Sequence, residues 1–200
     1  MFLKMKNSRY FEATLTLIII SLLALISTYP AFSGHFFELS NDGGVHLARL
    51  ESLYQAFNAG RAPSLINFIG FNNQGVAMNA MYPWITLLIY IIPRLIIDNP
   101  MLALAIGFWL MNFFTILNSY WLAKSLTRNR LIILLSVSIY QFSAYHLQLM
   151  YTRGALGEAL GYTFLPLIML GLFQIWNRKK QGTIVLAIGM GLVANSHILS

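Results

Sequence analysis

The chain contains no cysteine. This absence excludes a disulfide framework, a zinc–thiolate site, an iron–sulfur cluster and a thiol nucleophile. Charge is also scarce, because charged residues make up 10% of the 200 residues while hydrophobic residues make up 58%. A soluble domain carries about 25% charged residues. Too few charges remain to cover a water-exposed surface, so the composition predicts an integral membrane protein, all-α in fold.

Acidic residues are the rarer of the two charged classes, with six Asp and Glu against thirteen Lys and Arg, and the net charge is +7. A basic chain can bind nucleic acid, but here the basic residues stand in small groups beside apolar runs. That arrangement is typical of a membrane protein that orients itself by positive charge on the inner side. We therefore expect the lipid bilayer as a partner, and no nucleic acid.

The first apolar run covers about residues 13–29 and follows Lys4, Lys6 and Arg9. It is long for the apolar part of a signal peptide, and the residues after it make a poor cleavage site. We interpret it as an uncleaved anchor with a cytoplasmic N-terminus, in the plasma or inner membrane of the cell. Four later runs are long enough to cross, since a crossing helix needs about 17–25 residues: residues 101–123, 131–150, 160–176 and 183–200.

Residues 81–97 are ambiguous, because this apolar stretch begins and ends near Pro83 and Pro93 and carries Arg94. If it does not cross, nine basic residues fall inside, and Arg153 is the basic residue of the short outer loops. If it crosses, six basic residues fall in short outer loops against five inside. The positive-inside rule favours the first arrangement. We predict five spans and a long outer segment, about residues 30–100, with a membrane-associated helix at 81–97.

This arrangement places most acidic residues on the outer side of the membrane. Glu12 is the exception, on the inner side. The outer acids are Glu38, Asp42, Glu51, Asp98 and Glu158. Acid–base chemistry, if the chain performs any, is therefore expected at the outer surface.

The long outer segment contains a second predicted helix, at about residues 43–59. Ser, Asn or Asp residues at 40–42 can cap its start, and Gly60 can end it. Helical spacing places the large apolar residues on one face and the polar residues on the other. The helix is therefore amphipathic and suited to a membrane surface or to other helices. Its apolar face consists of Leu47, Leu50, Leu53, Tyr54 and Phe57.

Asp42, His46 and Arg49 share a stripe along the flank of that apolar face. One interpretation is an N-cap followed by a solvated pair. The alternative is an anion site at the level of lipid phosphates, because Arg can bind phosphate through two hydrogen bonds. Arg61 and the Gly- and Asn-rich residues 70–75 follow. They are expected to form a loop, which can be a site or a plain connection.

A second group of charges joins the third and fourth predicted spans. Arg153 and Glu158 lie close to the bilayer, where an unpaired charge is costly. They can pair with each other as caps, or they can form part of a site. His146 and His197 are expected near the outer ends of the third and fifth spans, more often as hydrogen-bonded residues between helices than as ligands.

The order of these features resembles a known superfamily. An outer Asp follows the first span, a long loop holds a helix at Tyr82-Pro83, a basic turn at 124–130 follows the second span, and Arg153…Glu158 follows the third. This order is similar to that of the GT-C glycosyltransferases, which use polyprenyl-phosphate donors. Within them it most resembles the bacterial membrane family labelled "6-pyruvoyl-tetrahydropterin synthase-related", then the YfhO-like proteins. The resemblance covers nearly the whole chain and implies a GT-C-like helix bundle.

The resemblance implies roles for individual residues. Asp42 matches the acid of the first outer loop, a general base or metal ligand, and Glu158 matches the second acidic position. Arg153, with Arg49, Arg61 and His46, would hold the phosphate of a polyprenyl-phosphate-linked sugar during transfer to an acceptor of the cell envelope. The candidate cofactor is Mg²⁺ or Mn²⁺, shared by Asp42 and Glu158. Asn195-Ser-His197 resembles a His-containing outer motif whose role is unassigned.

The chain departs from the superfamily in two respects. Its first loop has a single acid, Asp42 after Asn41, where the superfamily has a pair, so this loop offers one carboxylate to a metal ion. It also stops inside the fifth predicted span, so we expect an N-terminal piece of a longer protein that is incomplete without its C-terminal spans. The alternative classes are a transporter or flippase, although no internal repeat is found, and a truncated non-catalytic membrane subunit.

Overall fold

Helices make up the regular structure of the computed structural model, which describes residues 2–33, 36–67 and 74–197. Within those ranges the β-structure is limited to one isolated bridge between Asn67 and Val76. The prediction of an all-α membrane protein is confirmed. Among the described residues, four helical segments are long and apolar enough to cross a bilayer, and they coincide with the first four predicted spans: Tyr10–Ser33, Pro100–Leu126, Arg130–Arg153 and Leu156–Trp176.

The helices are numbered here in chain order, and short 3-10 turns at Tyr29–Ser33 and Ile85–Leu87 join some of them. Their bounds are α1 Phe2–Thr28, α2 Gly43–Asn58, α3 Met78–Met81, α4 Leu88–Ile96, α5 Pro100–Leu126, α6 Arg130–Gln141, α7 Ala144–Gln148, α8 Leu156–Trp176 and α9 Gly182–Ala194. A π-helical turn, Leu149–Arg153, follows α7.

The third span is broken, although the sequence predicted one continuous helix at residues 131–150. Helix α6 ends at Gln141, and α7 begins two residues after Phe142. The break occurs at Ser143, whose hydroxyl oxygen accepts a hydrogen bond from the His146 backbone N–H at 3.3 Å. A serine that caps a helix in this way favours the end of one helix and the start of the next.

Helix α9 packs antiparallel to α8 along most of its length. Gly171 allows this close approach, since a Cβ there would overlap the backbone of Leu186. The 13 residues of α9 span about 20 Å, which is less than the hydrocarbon core of a bilayer. The fifth predicted span, residues 183–200, therefore remains a prediction, and its last three residues lie outside the described ranges.

The ambiguous stretch at residues 81–97 forms a short helical segment, Ile85–Ile96. Twelve helical residues cover about 18 Å, too little to cross a bilayer. Helix α4 lies against the first half of α5, where the Tyr90 ring packs on Gly107 and the Tyr90 hydroxyl donates to Met111 Sδ at 3.1 Å. This geometry supports the arrangement in which the stretch does not cross.

Helix α2 has the amphipathic character that its sequence predicted. Leu50 and Leu53 are buried, and the other three residues of the predicted apolar face pack against the same core. The helix ends where expected, because Gly60 adopts a left-handed φ of 65°. Its N–H donates to the Phe57 carbonyl at 2.9 Å, and the Arg61 N–H donates to the Ala56 carbonyl at 2.9 Å. This pair of bonds is a Schellman motif.

The bundle has two distinct ends. The basic end carries the turns at 124–130 and 178–180, and there Arg130 pairs with Glu12 at 2.7 Å. The opposite end, which we call the loop end, carries α2, α3 and α4. Large apolar side chains are exposed along α1 and α6 between the two ends, as expected of lipid-facing helices. They include Leu15, Leu22, Ile26, Leu131, Leu135 and Ile139.

Helix α5 projects beyond α8 at the loop end. The hydroxyl oxygens of Thr115 and Thr163 lie 2.8 Å apart, so these residues share one depth. Thr115 is fifteen residues from the start of α5, whereas Thr163 is seven residues from the start of α8. At 1.5 Å per residue, α5 begins about 12 Å beyond α8. The first turns of α5 and the loop-end helices around them therefore stand above the level at which α8 begins.

Candidate functional site

Arg153 and Glu158 form an ion pair at the loop end, where the π-helical turn meets α8. The guanidinium donates to both carboxylate oxygens, Nη1 to Oε2 at 2.7 Å and Nη2 to Oε1 at 2.8 Å. The Tyr145 hydroxyl also donates to Oε2, at 3.2 Å. The side chains of Arg153 and Glu158 are 36% and 24% exposed. The pair is therefore open to molecules that arrive at this end of the bundle.

The first loop docks onto the same turn through its backbone. The Asn41 N–H donates to the Thr152 carbonyl at 3.2 Å, and the Asp42 N–H donates to the Arg153 carbonyl at 2.8 Å. Gly154 makes this contact possible, because its φ is 66° and a Cβ there would overlap the Ser40 hydroxyl. These contacts fix Asp42 beside Arg153, although the two residues are far apart in sequence.

Asp42 precedes α2 at the N-cap position but does not act as a cap. Its side chain makes no capping hydrogen bond, and the residue is exposed. The N-cap interpretation of its carboxylate is therefore wrong. The carboxylate instead interacts electrostatically with Arg153. We call Asp42, Tyr145, Arg153 and Glu158 together the rim cluster.

Arg49 has a different role from the one expected at a phosphate site. It is 1% exposed. Its Nε donates to Asn79 Oδ1 at 3.0 Å, and its Nη2 donates to the carbonyls of Tyr82 and Pro83. This guanidinium ties α2 to the Tyr82–Pro83 turn, so its buried nitrogens are not available to a phosphate.

His46 lies next to Arg49 and is buried as well, with 6% of its surface exposed. Burial is the main cause that lowers its pKa from 6.5 to about 4, and the positive charge of Arg49 and the nearby His197 contribute to the same shift. His46 is therefore neutral at physiological pH and cannot attract a phosphate by charge. Burial of this kind also contradicts the interpretation of His46 and Arg49 as a solvated pair.

His197 packs against neighbouring residues of the site, whereas Arg61 is exposed to solvent. The His197 ring lies 5.1 Å from the Tyr82 ring, measured between centroids. Gly157, in the first turn of α8, approaches the Ser196 carbonyl and His197 so closely that a Cβ would crowd both. The end of α9 is thus packed beside Glu158. Arg61, in contrast, is exposed after the turn that ends α2, and its side chain makes no hydrogen bond with the described rim residues.

The arrangement does not fit a preformed metal site. Among the described residues, no group of three or more His, Asp or Glu side chains could hold a metal ion. Both oxygens of Glu158 are also engaged by Arg153 and Tyr145. The expectation that Asp42 and Glu158 share Mg²⁺ or Mn²⁺ therefore gains no support from the geometry.

The sequence analysis gave Tyr145 no role and named Tyr82 only as part of a helix start with Pro83, although both side chains line this region. Tyr145 precedes His146 in α7 and contacts Glu158 because the third span breaks at Ser143. Tyr82 contributes its ring between those of His46 and His197. The pattern of apolar residues carries no signal for these positions, since aromatic residues are also common as packing groups.

In comparisons with known proteins, no family model matches the chain, and no curated protein or solved structure matches it either.

Replacing Gly154 by Ala should loosen the junction between the first loop and the π-helical turn. Gly60→Ala is a matched control, because both glycines have φ near 65° but nothing lies within 4 Å of the Cβ position at Gly60. Both variants bear a cost of about 1–2 kcal/mol for the left-handed conformation. Gly154→Ala should cost about 1–3 kcal/mol more because of overlap with Ser40. Thermal unfolding in detergent measures the difference, and equal midpoints for the two variants would refute the docking.

The buried His46 should make stability fall at acidic pH. Its pKa is lower in the folded than in the unfolded protein, so only the unfolded protein takes up a proton as pH falls from about 6.5 to about 4. The part of the free energy of unfolding that depends on neutral His46 is fully present above pH 6.5 and is lost towards pH 4. At pH 5 the loss is about 2 kcal/mol. His46→Gln should remove this part of the pH dependence of unfolding. An identical pH profile in the variant would show that His46 is not buried in its neutral form.

Proposed function

We propose that the protein is a membrane glycosyltransferase that moves a sugar from a polyprenyl-phosphate donor to an acceptor of the cell envelope. The observation that carries this proposal is the backbone docking that joins the acid of the first loop to the turn bearing Arg153 and Glu158. It brings one exposed carboxylate and one bidentate Arg–carboxylate pair together at the loop end. A polyprenyl-phosphate donor suits this position, because its phosphate lies at the membrane surface while its chain lies in the bilayer.

Arg153 is the phosphate-binding group of this proposal. Its two terminal nitrogens already bind two oxygens of a planar anion, and a phosphate offers the same pair of acceptors. The donor phosphate takes this place, and Tyr145 retains a hydrogen bond to the displaced Glu158. Positive charge at Arg153 then stabilises the negative charge that builds up on the departing phosphate.

Asp42 is the general base. Its carboxylate is exposed and not engaged in helix capping, so it can accept the proton of an acceptor hydroxyl. The acceptor oxygen forms a bond to the anomeric carbon of the sugar, the bond from that carbon to the phosphate oxygen breaks, and its electron pair leaves with the phosphate. The hydroxyl proton goes to Asp42. No step in this scheme passes through a metal ion, because the described residues do not fit one.

In this proposal the two ends of the bundle face opposite sides of the membrane. The basic end faces the cytoplasm, with the N-terminus, and the rim cluster faces the outside of the plasma or inner membrane, following the positive-inside rule. Arg61, exposed at the same end, can add positive charge for the donor phosphate.

A second candidate function is transport. The observation that favours it is the break in the third span at Ser143, next to the fully buried polar residues Gln141 and His146. Broken helices with polar groups inside the membrane are a feature of transporters. The charged groups, however, lie at the rim rather than in the middle of the bundle, so we place this function second.

The transferase proposal is tested by the substitution Asp42→Asn in the membrane-inserted protein. Loss of a general base lowers the rate by about 10²–10⁴-fold, whereas insertion into the membrane should be unchanged. Asp98→Asn is the matched control, since Asp98 is an exposed acid of the same outer segment outside the rim cluster. The measurement is incorporation of labelled sugar from polyprenyl phosphates into the envelope fraction. Wild-type incorporation by Asp42→Asn would exclude this role of Asp42.

A further inference from the structure

The turn between α8 and α9 presents three consecutive cations at the basic end of the bundle, opposite the rim cluster. Arg178, Lys179 and Lys180 are all exposed. None of them forms an ion pair with a carboxylate among the described residues. Residues 159–200 also contain no Asp or Glu. The positive charge of this turn is therefore available to a partner outside the bundle.

The other basic turn, at residues 124–130, differs in this respect. Arg130 is paired with Glu12 at 2.7 Å, and Lys124 Nζ lies 5.3 Å from the centre of the Tyr120 ring. Two of its three cations are thus engaged by groups of the bundle itself.

Arg178 is held in a backbone conformation that arginine rarely adopts. Its φ is 55°. Its N–H donates to the Ile175 carbonyl at 2.8 Å, and the Lys179 N–H donates to the Gln174 carbonyl at 2.9 Å. This is the Schellman motif that also ends α2, where the left-handed position is occupied by Gly60. A side chain is costly at such a position, and residues that bear this cost are often found at functional sites.

An exposed apolar stripe on α8 leads to these cations. At 100° per residue its four side chains share one face of the helix, and they are 45–87% exposed. We call it the α8 stripe, and its members are Leu165, Met169, Leu172 and Trp176. From its first to its last residue the helix rises about 16 Å, close to the hydrocarbon thickness of one leaflet, about 15 Å. Trp176 ends the stripe beside the cations, and Trp rings are enriched at the boundary between membrane and water.

The chemistry of the turn and of the α8 stripe selects the partner. A soluble phosphate would complement the cations but leave the stripe uncovered. An anionic phospholipid complements both, because its phosphate lies at the membrane surface and its acyl chains cover one leaflet. Arg can bind two phosphate oxygens through its fork of N–H groups, and neighbouring Lys residues attract an anionic membrane surface.

We propose that the turn between α8 and α9, together with the α8 stripe, is a binding site for an anionic phospholipid. Arg178 binds the phosphate, and Lys179 and Lys180 add positive charge around it. An acyl chain lies along the stripe, from Trp176 towards Leu165. The site is separate from the rim cluster, so it depends neither on the transfer reaction nor on the side of the membrane that the turn faces.

Quenching of Trp176 fluorescence by brominated lipids tests this site. The full chain is reconstituted in vesicles of phosphatidylcholine and phosphatidylglycerol in equal amounts, and the bromine is carried by the acyl chains of either one lipid or the other. The difference between the chain and its Trp176→Phe variant isolates the signal of this residue. Because each cation near the surface strengthens binding about five-fold, brominated phosphatidylglycerol should quench Trp176 at least about five times as strongly as brominated phosphatidylcholine.

The double variant Arg178→Gly with Lys179→Gln should bring this quenching ratio close to one. It should not lower the midpoint of thermal unfolding in detergent, because glycine adopts the left-handed conformation without strain. The matched control, Lys124→Gln with Arg128→Gln, removes the same number of cations from the other basic turn and should keep the preference for phosphatidylglycerol.

Four results would overturn the proposal. Equal quenching by the two lipids in the unsubstituted chain would mean that lipids mix at random around Trp176. An equal loss of preference in both double variants would mean a diffuse attraction by the whole basic end. If neither lipid quenches Trp176, protein and not lipid covers the α8 stripe. If inorganic phosphate abolishes the preference while sodium chloride of equal ionic strength does not, the turn binds a free anion.

Discussion

The docking of the first loop on the π-helical turn is the contact on which the rest of the site depends. Two backbone hydrogen bonds, from Asn41 to Thr152 and from Asp42 to Arg153, join segments more than one hundred residues apart. Gly154 leaves room for Ser40 at this contact. Without the docking, Asp42 would be one exposed acid in a long loop, and Arg153 and Glu158 would be an ordinary surface pair.

The position of the rim cluster along the bundle follows from the relative levels of α5 and α8. Because Thr115 and Thr163 share a level, α5 begins about 12 Å above α8. The start of α8 therefore lies below the level of α2, α4 and the first turns of α5, which surround it at the loop end. A separate contact, from Asn112 of α5 to Thr28 of α1, lies within the bundle, where Gln141 and His146 are also buried. These buried groups are neutral, whereas the rim cluster is charged and open.

Much of the fold can be predicted from the sequence, because hydrophobic length and basic turns are local signals. The first four spans, the amphipathic face of α2 and its end at Gly60 all follow from such signals. The burial of His46 and Arg49 does not, since it depends on the Tyr82–Pro83 turn, which is distant in sequence. The break at Ser143 was also missed, because apolar residues continue on both sides of it. The pairing of Arg153 with Glu158 was open as one of two interpretations, but its link to Asp42 needs the folded backbone.

The rim cluster and the basic turns should face opposite sides of the membrane. The absence of cysteine allows a direct test with the single substitutions Ser64→Cys, Asp98→Cys, Ser125→Cys and Gln181→Cys in intact cells. An impermeant thiol reagent should label positions 64 and 98 but not 125 and 181, and permeabilised cells should label all four as the control. Labelling of 125 and 181 without 98 would mean that the stretch at 81–97 crosses the membrane. Asp42 and Glu158 would then lie on opposite sides, which contradicts the account.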